Sequence, residues 1–384
     1  MKSPTAPLRP SAEDLLRKNM ARFVDQEIIP RAREIDEKKS FPSEVFHTLG
    51  RMGAFRIRYP RDRRGAGGNS TLFCIMCEEL ARGSMSVAAI TAMQCLMGTN
   101  FLFQYGTEDH YHRLFLPAME GEKVAAFALT EPDAATDLAG VRTTAEKTQD
   151  GYRLNGMKTW ITNAPVADFF TVLAQTDRSK GFRGMNFFLV ERGTPGLSIS
   201  KKFDKLGTWG TEISEIAFEN CLIPKENMLG EEGRGLSSLM KILSEIRTMT
   251  AALSLGLARA AFGAALQYAK ERTQFGQPIG NFQLVQSKIA NMATEIEASR
   301  LLVYNAARLV DQGVPCMKEA SMAKYFASET ACRAADQATR TFGAYSYSME
   351  YPVQRFYRDS RFLLFGGGTS EILQVIIARE YGLG

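Results

Sequence analysis

TTAEKTQDGYRLNGMKTWITNAPVADFFTVLAQTD, residues 143–177, decides the architecture of this chain. Its apolar residues fall in short β-branched and aromatic runs, with Asp150-Gly151 and Asn155-Gly156 placed as turns. That is the signature of strands joined by tight connections, not of helices. The same character fills residues 121–230, through KVAAFALTEP (123–132), GMNFFLVERG (184–193), GLSISKKF (196–203) and EISEIAFENCLIP (212–224). An antiparallel β domain is predicted there.

Outward on both sides the period changes. Residues 11–120 carry apolar residues at three- and four-residue spacing behind Ser or Thr starts, as in SAEDLLRKNMARFVDQEIIPRAREID and TLFCIMCEELARG, which reads as helix. Beyond residue 231 come three long helical segments (235–272, 282–313 and 318–343) and a terminal helix. Four helices with short connections predict a bundle. The fold class is therefore α+β in three domains: helical over 1–120, β over 121–230, and a four-helix bundle over 231–384.

Bulk properties narrow the function. With 384 residues, 45% hydrophobic, 23% charged and a net charge of +5, the chain has the composition of an ordinary globular protein with ample core. No apolar run reads as a membrane span, the opening MKSPTAPLRPSAEDLL lacks a signal core, and a cytoplasmic setting is expected. Among six scattered cysteines, Cys74 and Cys77 share one helical face and read as core packing. The histidines His47, His110 and His112 read as surface, and no metal site is expected. The basic run RIRYPRDRRGAGG (56–68) reads as a solvated loop, with attraction of a polyanion as its functional alternative. Nothing resembles a nucleic-acid-binding motif.

One segment carries chemistry on its own terms. FGGGTSEILQVIIARE (365–380) joins Gly366, Gly367 and Gly368 to a helix opening with Thr369, Ser370 and Glu371. Glycines allow close backbone approach, and free N–H groups at a helix start bind an anion or a carbonyl. A ligand site is predicted at this loop.

With its preceding YPVQRFYRD, this segment resembles the C-terminal signature of the acyl-CoA dehydrogenase family, and the helix–β–helix order extends the resemblance over nearly the whole chain. The resemblance implies an oxidoreductase with FAD between the β domain and the bundle, acting on acyl-CoA or an acyl-carrier protein. It also implies a homo-oligomer, a tetramer in the family, and electron-transfer flavoprotein as the acceptor. In AFALTEPDAATDLAG (126–140) it places Phe127, Leu129, Thr130 and Thr136 at the flavin or its phosphates. In NGMKTWITNA (155–164) it places Trp160 against the ring and Thr162 near N5. In KERTQFGQPIGNFQ (270–283) Arg272, Phe275 and Gln283 are expected to reach a neighbouring subunit's FAD. In RTFGAYSYSMEYPVQRFYRDSR (340–361) Arg340 and Gly343 are the cofactor positions, with Arg340, Ala344 and Ser346 departing from the family's Gln and glycines. Thr369 and Glu371 complete the cofactor set, and Arg247, Gly367 and Gly368 are expected at the substrate.

The same resemblance exposes a gap. Family chemistry removes an α-proton with a glutamate while the β-hydride leaves to the flavin, and that glutamate usually stands where this chain has Gly367. The second family position, on the first bundle helix before Arg247, is Ile246. Glu245 lies one residue away, about 100° around the helix. Three readings stay open: dehydrogenation with Glu245 or another acid as base; a variant in which loss of CO2 or sulfinate leaves the enolate charge, with the Gly367 amide as oxyanion donor; or thioester and flavin binding with little turnover or O2-dependent hydroxylation. A flavin-binding scaffold or nucleic-acid-associated protein is the alternative outside enzymology.

Overall fold

A computed structural model describes residues 11–383; the first residues of the N-terminal stretch read for a signal lie outside it. Helices dominate up to Glu120, strands occupy 125–229, and long helices return at Gly235. The first helix, Ala12–Phe23, starts on a capping box in which Ser11 and Asp14 each satisfy the other's amide.

The β layer is one eight-stranded sheet. Its strands are β1 (Ala125–Ala128), β2 (Thr144–Lys147), β3 (Gly151–Thr162), β4 (Phe169–Gln175), β5 (Met185–Glu191), β6 (Leu197–Ile199), β7 (Ile213–Pro224) and β8 (Met228–Leu229). The order is β6-β7-β3-β2-β4-β5-β8, with β1 on β4. The expected antiparallel domain is corrected to a mixed sheet, because β1 and β2 both run parallel to β4. Parallel pairing needs cover on both faces, and the alternation supplies it. Phe169, Leu173, Phe187 and Leu189 join the main core; Phe170, Val172, Phe188 and Val190 form a second one.

The bundle is built from Gly235–Glu271, Gln283–Asp311, Met317–Phe342 and Ser370–Glu380, with a short helix Val353–Ser360 between the last two. The first is long and apolar enough to cross a membrane, as is the span Met85–Tyr105, so the expectation that no run has this length is corrected. Both are mostly buried in the interior, 67% and 83% over their most apolar windows. Gly256 lets the Gly235–Glu271 helix cross the Ser70–Gly83 helix closely: a Cβ there would meet the Glu78 carbonyl oxygen at 2.1 Å.

At that crossing sits a buried charge clamp. The fully buried Glu78 accepts from Arg17 at 3.0 Å, Arg259 at 2.7 Å and Arg300 at 3.0 Å, and from the Tyr304 hydroxyl. Arg259 also reaches Glu79 at 2.6 Å. One carboxylate pair thus ties the N-terminal helix and two bundle helices to the same point.

Two minor expectations change, and a third holds. His110 is buried at a helix start, bonded to Thr107, and only His47 and His112 lie outside. The basic run is anchored rather than solvated: Arg56 pairs with Glu120, Arg58 with Glu245, and Arg63 stacks over Tyr111 at 3.9 Å. Cys74 and Cys77 are buried free thiols, as core packing requires.

Glu78→Gln is expected to destabilise the protein by about 3 kcal/mol at neutral pH, read by urea unfolding. Burial works to raise the Glu78 pKa, but Arg259 and Arg17 outweigh it and hold it below the usual 4.5. The clamp's contribution is therefore full above pH 4.5 and declines as pH falls through the lowered value. That acid limb should flatten in the variant.

Candidate active site at the glycine loop

The loop entering the last helix has the geometry of an oxyanion donor. Gly367 and Gly368 adopt φ of +75° and +113°, so two of the three glycines are used for left-handed backbone. The Gly366 and Gly368 amides bond the Phe362 and Phe365 carbonyls at 2.9 and 3.2 Å. Between them, the Gly367 amide has no hydrogen-bond acceptor among the described residues. Thr369 caps the last helix through the Ile372 amide at 3.3 Å, and Ser370 donates to Glu329 at 2.7 Å. Glu371 is exposed at the helix start, its carboxyl held below the usual range by its own backbone amide and the Thr369 hydroxyl.

No carboxylate occupies the Gly367 position. A Cβ on Gly367 would face the Thr250 hydroxyl at 3.1 Å and Ile246 Cγ2 at 3.9 Å, both on the first bundle helix. Glu245 is corrected as a candidate base. One step around the helix, it points toward the N-terminal domain, where Arg58 grips it in a fork at 2.5 and 3.0 Å and Ser70 donates at 3.3 Å. A carboxylate held bidentately by a buried guanidinium is a structural anchor.

Two cations flank the loop instead. Arg247 is 5% exposed and donates only to Met317 Sδ and Ser321 Oγ. The fully buried Lys324 donates to the Gly368 carbonyl at 2.6 Å and the Leu364 carbonyl at 3.2 Å. Burial pushes Lys324 down to about 8, and the charge of Arg247 adds to that. Lys324 escaped the sequence reading; its signal was a lysine on the stripe Ala320, Ala323, Ala327 and Ala331 that packs the core.

Positions expected at the flavin lie along one edge of the sheet. The Thr159 amide donates to the Thr130 carbonyl at 2.9 Å, which sets Thr130 beside Trp160 and Thr162. Trp160 has φ +58° at a register shift in β3, and its indole is 58% exposed, tilted on Phe203 at 4.8 Å. A bulge that turns a strained aromatic outward is the signature of a binding site rather than of a core tryptophan. Beneath it, the buried Lys158 bonds Glu131 at 2.7 Å and the Leu129 carbonyl at 3.1 Å. Glu131 also accepts the Arg142 and Thr143 amides. Burial raises the Glu131 pKa, but Lys158 and these amides bring it below the usual range. The Thr130 and Thr162 hydroxyls have no partner among the described residues, so an exposed flat face and open hydroxyls stand together, which fits a flavin; the exposed Thr136 hydroxyl is likewise unpartnered. Phe127 is corrected: its ring is in the core on Phe101 and Phe187, and only its backbone borders this edge.

The remaining positions stand apart from that edge. Phe275, at the tip of the hairpin Thr273–Gln274/Gln277–Pro278, has φ +52° and is 92% exposed. Arg272 lies over the Tyr345 ring at 5.4 Å, Gln283 opens the second long helix, and Gly343 turns the third helix's end with φ +61°. Arg340 is exposed and held by Asp336 at 2.6 Å on its own helix, so its expected approach to a pyrophosphate requires exchanging that partner.

Comparisons with known proteins cover nearly the whole chain. The N-terminal, middle and C-terminal domains of acyl-CoA dehydrogenases match residues 10–122, 126–221 and 233–382. The chain is 49% identical to benzylmalonyl-CoA dehydrogenase of Aromatoleum aromaticum, over 94% of this chain and 95% of that protein. It is 40% identical to the caffeyl-CoA reductase-Etf complex subunit CarC of Acetobacterium woodii, over 95% and 96%. Among solved structures, butyryl-CoA dehydrogenase from Megasphaera elsdenii superposes with a TM-score of 0.92 at 37% identity, covering 99% and 100% of the two chains. The FAD complex of PigA superposes with a TM-score of 0.93 at 29% identity, covering 100% of each.

Phe275→Ala is expected to lower the FAD retained on purification about tenfold in affinity, the scale of one aromatic stacking contact. Because the ring is 92% exposed, thermal unfolding of the flavin-free protein should be unchanged. Flavin content equal to wild type would mean that the hairpin reaches no cofactor.

Proposed function

The chain belongs to the acyl-CoA dehydrogenase family, and on that footing we propose that its substrate is an acyl-CoA bearing a carboxylate on the α carbon. It is an FAD-dependent enzyme that dehydrogenates an acyl thioester, with electron-transfer flavoprotein as the acceptor. The observation that carries the substrate class is the missing base. Gly367 offers no side chain, Ile246 and Thr250 face it, and Glu245 is locked onto Arg58. An α-carboxylate removes the need for one: CO2 departs, the Cα–carboxylate electron pair stays on Cα, and the charge spreads to the thioester oxygen. The 49%-identical relative is named for a substrate of this kind, a malonyl thioester with a benzyl substituent.

The chain's own residues then have definable tasks. The unpartnered Gly367 amide donates to the thioester oxygen as charge develops there. Lys324 fixes the loop through the Gly368 carbonyl, so the donor is preorganised. Thr130, Trp160 and Thr162 hold the flavin ring, and Arg272, Phe275 and Gln283 reach outward to a second subunit. FAD bound there would supply a two-electron oxidant for the β-hydrogen and its electron pair, matching the electron pair that CO2 leaves on Cα in an α,β double bond.

The projecting Phe275 hairpin supports a homo-oligomer, with a tetramer proposed. Six free cysteines, all buried, support a cytoplasmic setting.

Anaerobic mixing of the FAD-loaded enzyme with 2-benzylmalonyl-CoA should bleach the flavin and release one CO2 per flavin reduced. With 3-phenylpropionyl-CoA in heavy water, no α-proton exchange is expected. Bleaching without CO2, or rapid exchange, would show that a base is present and remove this reading.

A further inference from the structure

Among the buried carboxylates of the described residues, Asp359 alone is in no ion pair. Glu78 and Glu79 have arginines, Glu131 has Lys158, and Asp36 has Arg358. Asp359, 2% exposed, has the Thr208 amide at 2.5 Å as its one hydrogen-bond donor. It stands on the short bundle helix Val353–Ser360 and reaches across to the loop between β6 and β7.

That loop is where the three domains meet. Thr208 adopts left-handed backbone at φ +49°, and a Cβ on Gly207 would meet the Arg358 carbonyl oxygen at 2.5 Å. Arg358 of the bundle and Lys39 of the N-terminal domain both lie over the Trp209 ring, at 3.8 and 4.2 Å. The Gly210 amide donates to Ser86 at 3.1 Å. Within the loop, the Thr211 amide bonds the Thr208 carbonyl at 2.9 Å, so a shift at Thr208 is passed along the chain. At the loop's start stands Phe203, its amide on the Ile213 carbonyl at 2.8 Å. Its ring is the one aromatic neighbour of Trp160 among the described residues, at 4.8 Å.

We infer that Asp359 is the positioning residue for Trp160: by fixing the Thr208 amide it seats the loop 203–211 on the bundle, and the loop holds Phe203 against the indole. The inference rests on the flavin reading of Trp160 and adds the group that sets where the ring stands. Trp160 is 58% exposed and strained, so Phe203 is its main support.

The charge on Asp359 gives this coupling a signature. Burial, with Asp36 adding, pushes Asp359 up to about 6, against the Thr208 amide, Arg358 and Arg355. Lys205, half-buried in the loop, also faces it. The carboxylate accepts strongly from the Thr208 amide at neutral pH, and protonation weakens that bond.

Trp160 emission is taken as the difference between the full-length flavin-free protein and its Trp160→Phe counterpart. Wild type should show one transition with a midpoint at about pH 6. Asp359→Asn, which keeps the shape and removes the charge, should show none. Phe203→Leu keeps Asp359 but cuts its route to Trp160, so the transition should vanish there too; this variant carries the test if Asp359→Asn does not fold. A flat wild-type curve, or a transition that persists in either variant, overturns the inference. In the FAD-loaded enzyme the visible flavin band should shift through the same pH, and stay fixed in Asp359→Asn. If Trp160 titrates through Asp359 while the flavin band ignores pH, the flavin reading of Trp160 falls and the positioning role stands.

Discussion

A charge taken out of water must be answered by another, and that constraint organises this protein from end to end. Glu78 is answered by three arginines and a tyrosine, Glu131 by Lys158 and two amides, Glu245 by Arg58, and Asp36 by Arg358. Each pair also joins segments far apart in the chain. Glu78 clamps the N-terminal helices to the bundle, Lys158 supports the strand edge beneath Trp160, and Glu245 pins the first bundle helix to the basic run. Such pairs add little net stability over a hydrophobic substitute, but losing one partner is costly, so they fix register and docking. Arg247 and Lys324 depart from this pattern: neither is in an ion pair among the described residues, Arg247 donating to a thioether and a hydroxyl and Lys324 to two backbone carbonyls.

The vacancy and the glycine loop are two sides of one arrangement. A side-chain carboxylate at position 367 would neutralise the cations and act as base. With glycine there, the loop keeps its amide donor while leaving the charge to be supplied from outside. In the proposed function the same loop answers to two needs, stabilising charge on the thioester oxygen and admitting an anionic acyl group. The Glu245–Arg58 fork keeps the neighbouring acid from taking over the empty role.

Much of the fold was legible because periodicity reports burial directly. The switch from three-and-four spacing to short aromatic and β-branched runs located the sheet, and the long alanine-rich segments located the bundle. Parallel pairing of β1 and β2 with β4 was not legible, since strand direction leaves no trace in composition. In the site, the glycine run announced left-handed backbone, which Gly367 and Gly368 adopt. Glu245 misled because adjacency in sequence conceals a rotation of about 100° on a helix. Arg58, its real partner, lay in a run that reads as surface. Lys324 was hidden because a single lysine in a helical stripe does not show which way it points. His110 was hidden likewise, its burial set by a helix turn packing against the body.

The hairpin bearing Phe275 places a large apolar ring at φ +52°, almost wholly in solvent, with only the edge of Phe282 beside it. If its counterpart is a cofactor seated in another copy, assembly and cofactor occupancy become one linked equilibrium. Diluting the enzyme would then strip flavin from it, and adding flavin would draw protomers together. Cofactor loss on long storage at low concentration would in that case be a mass-action effect, reversible without any refolding.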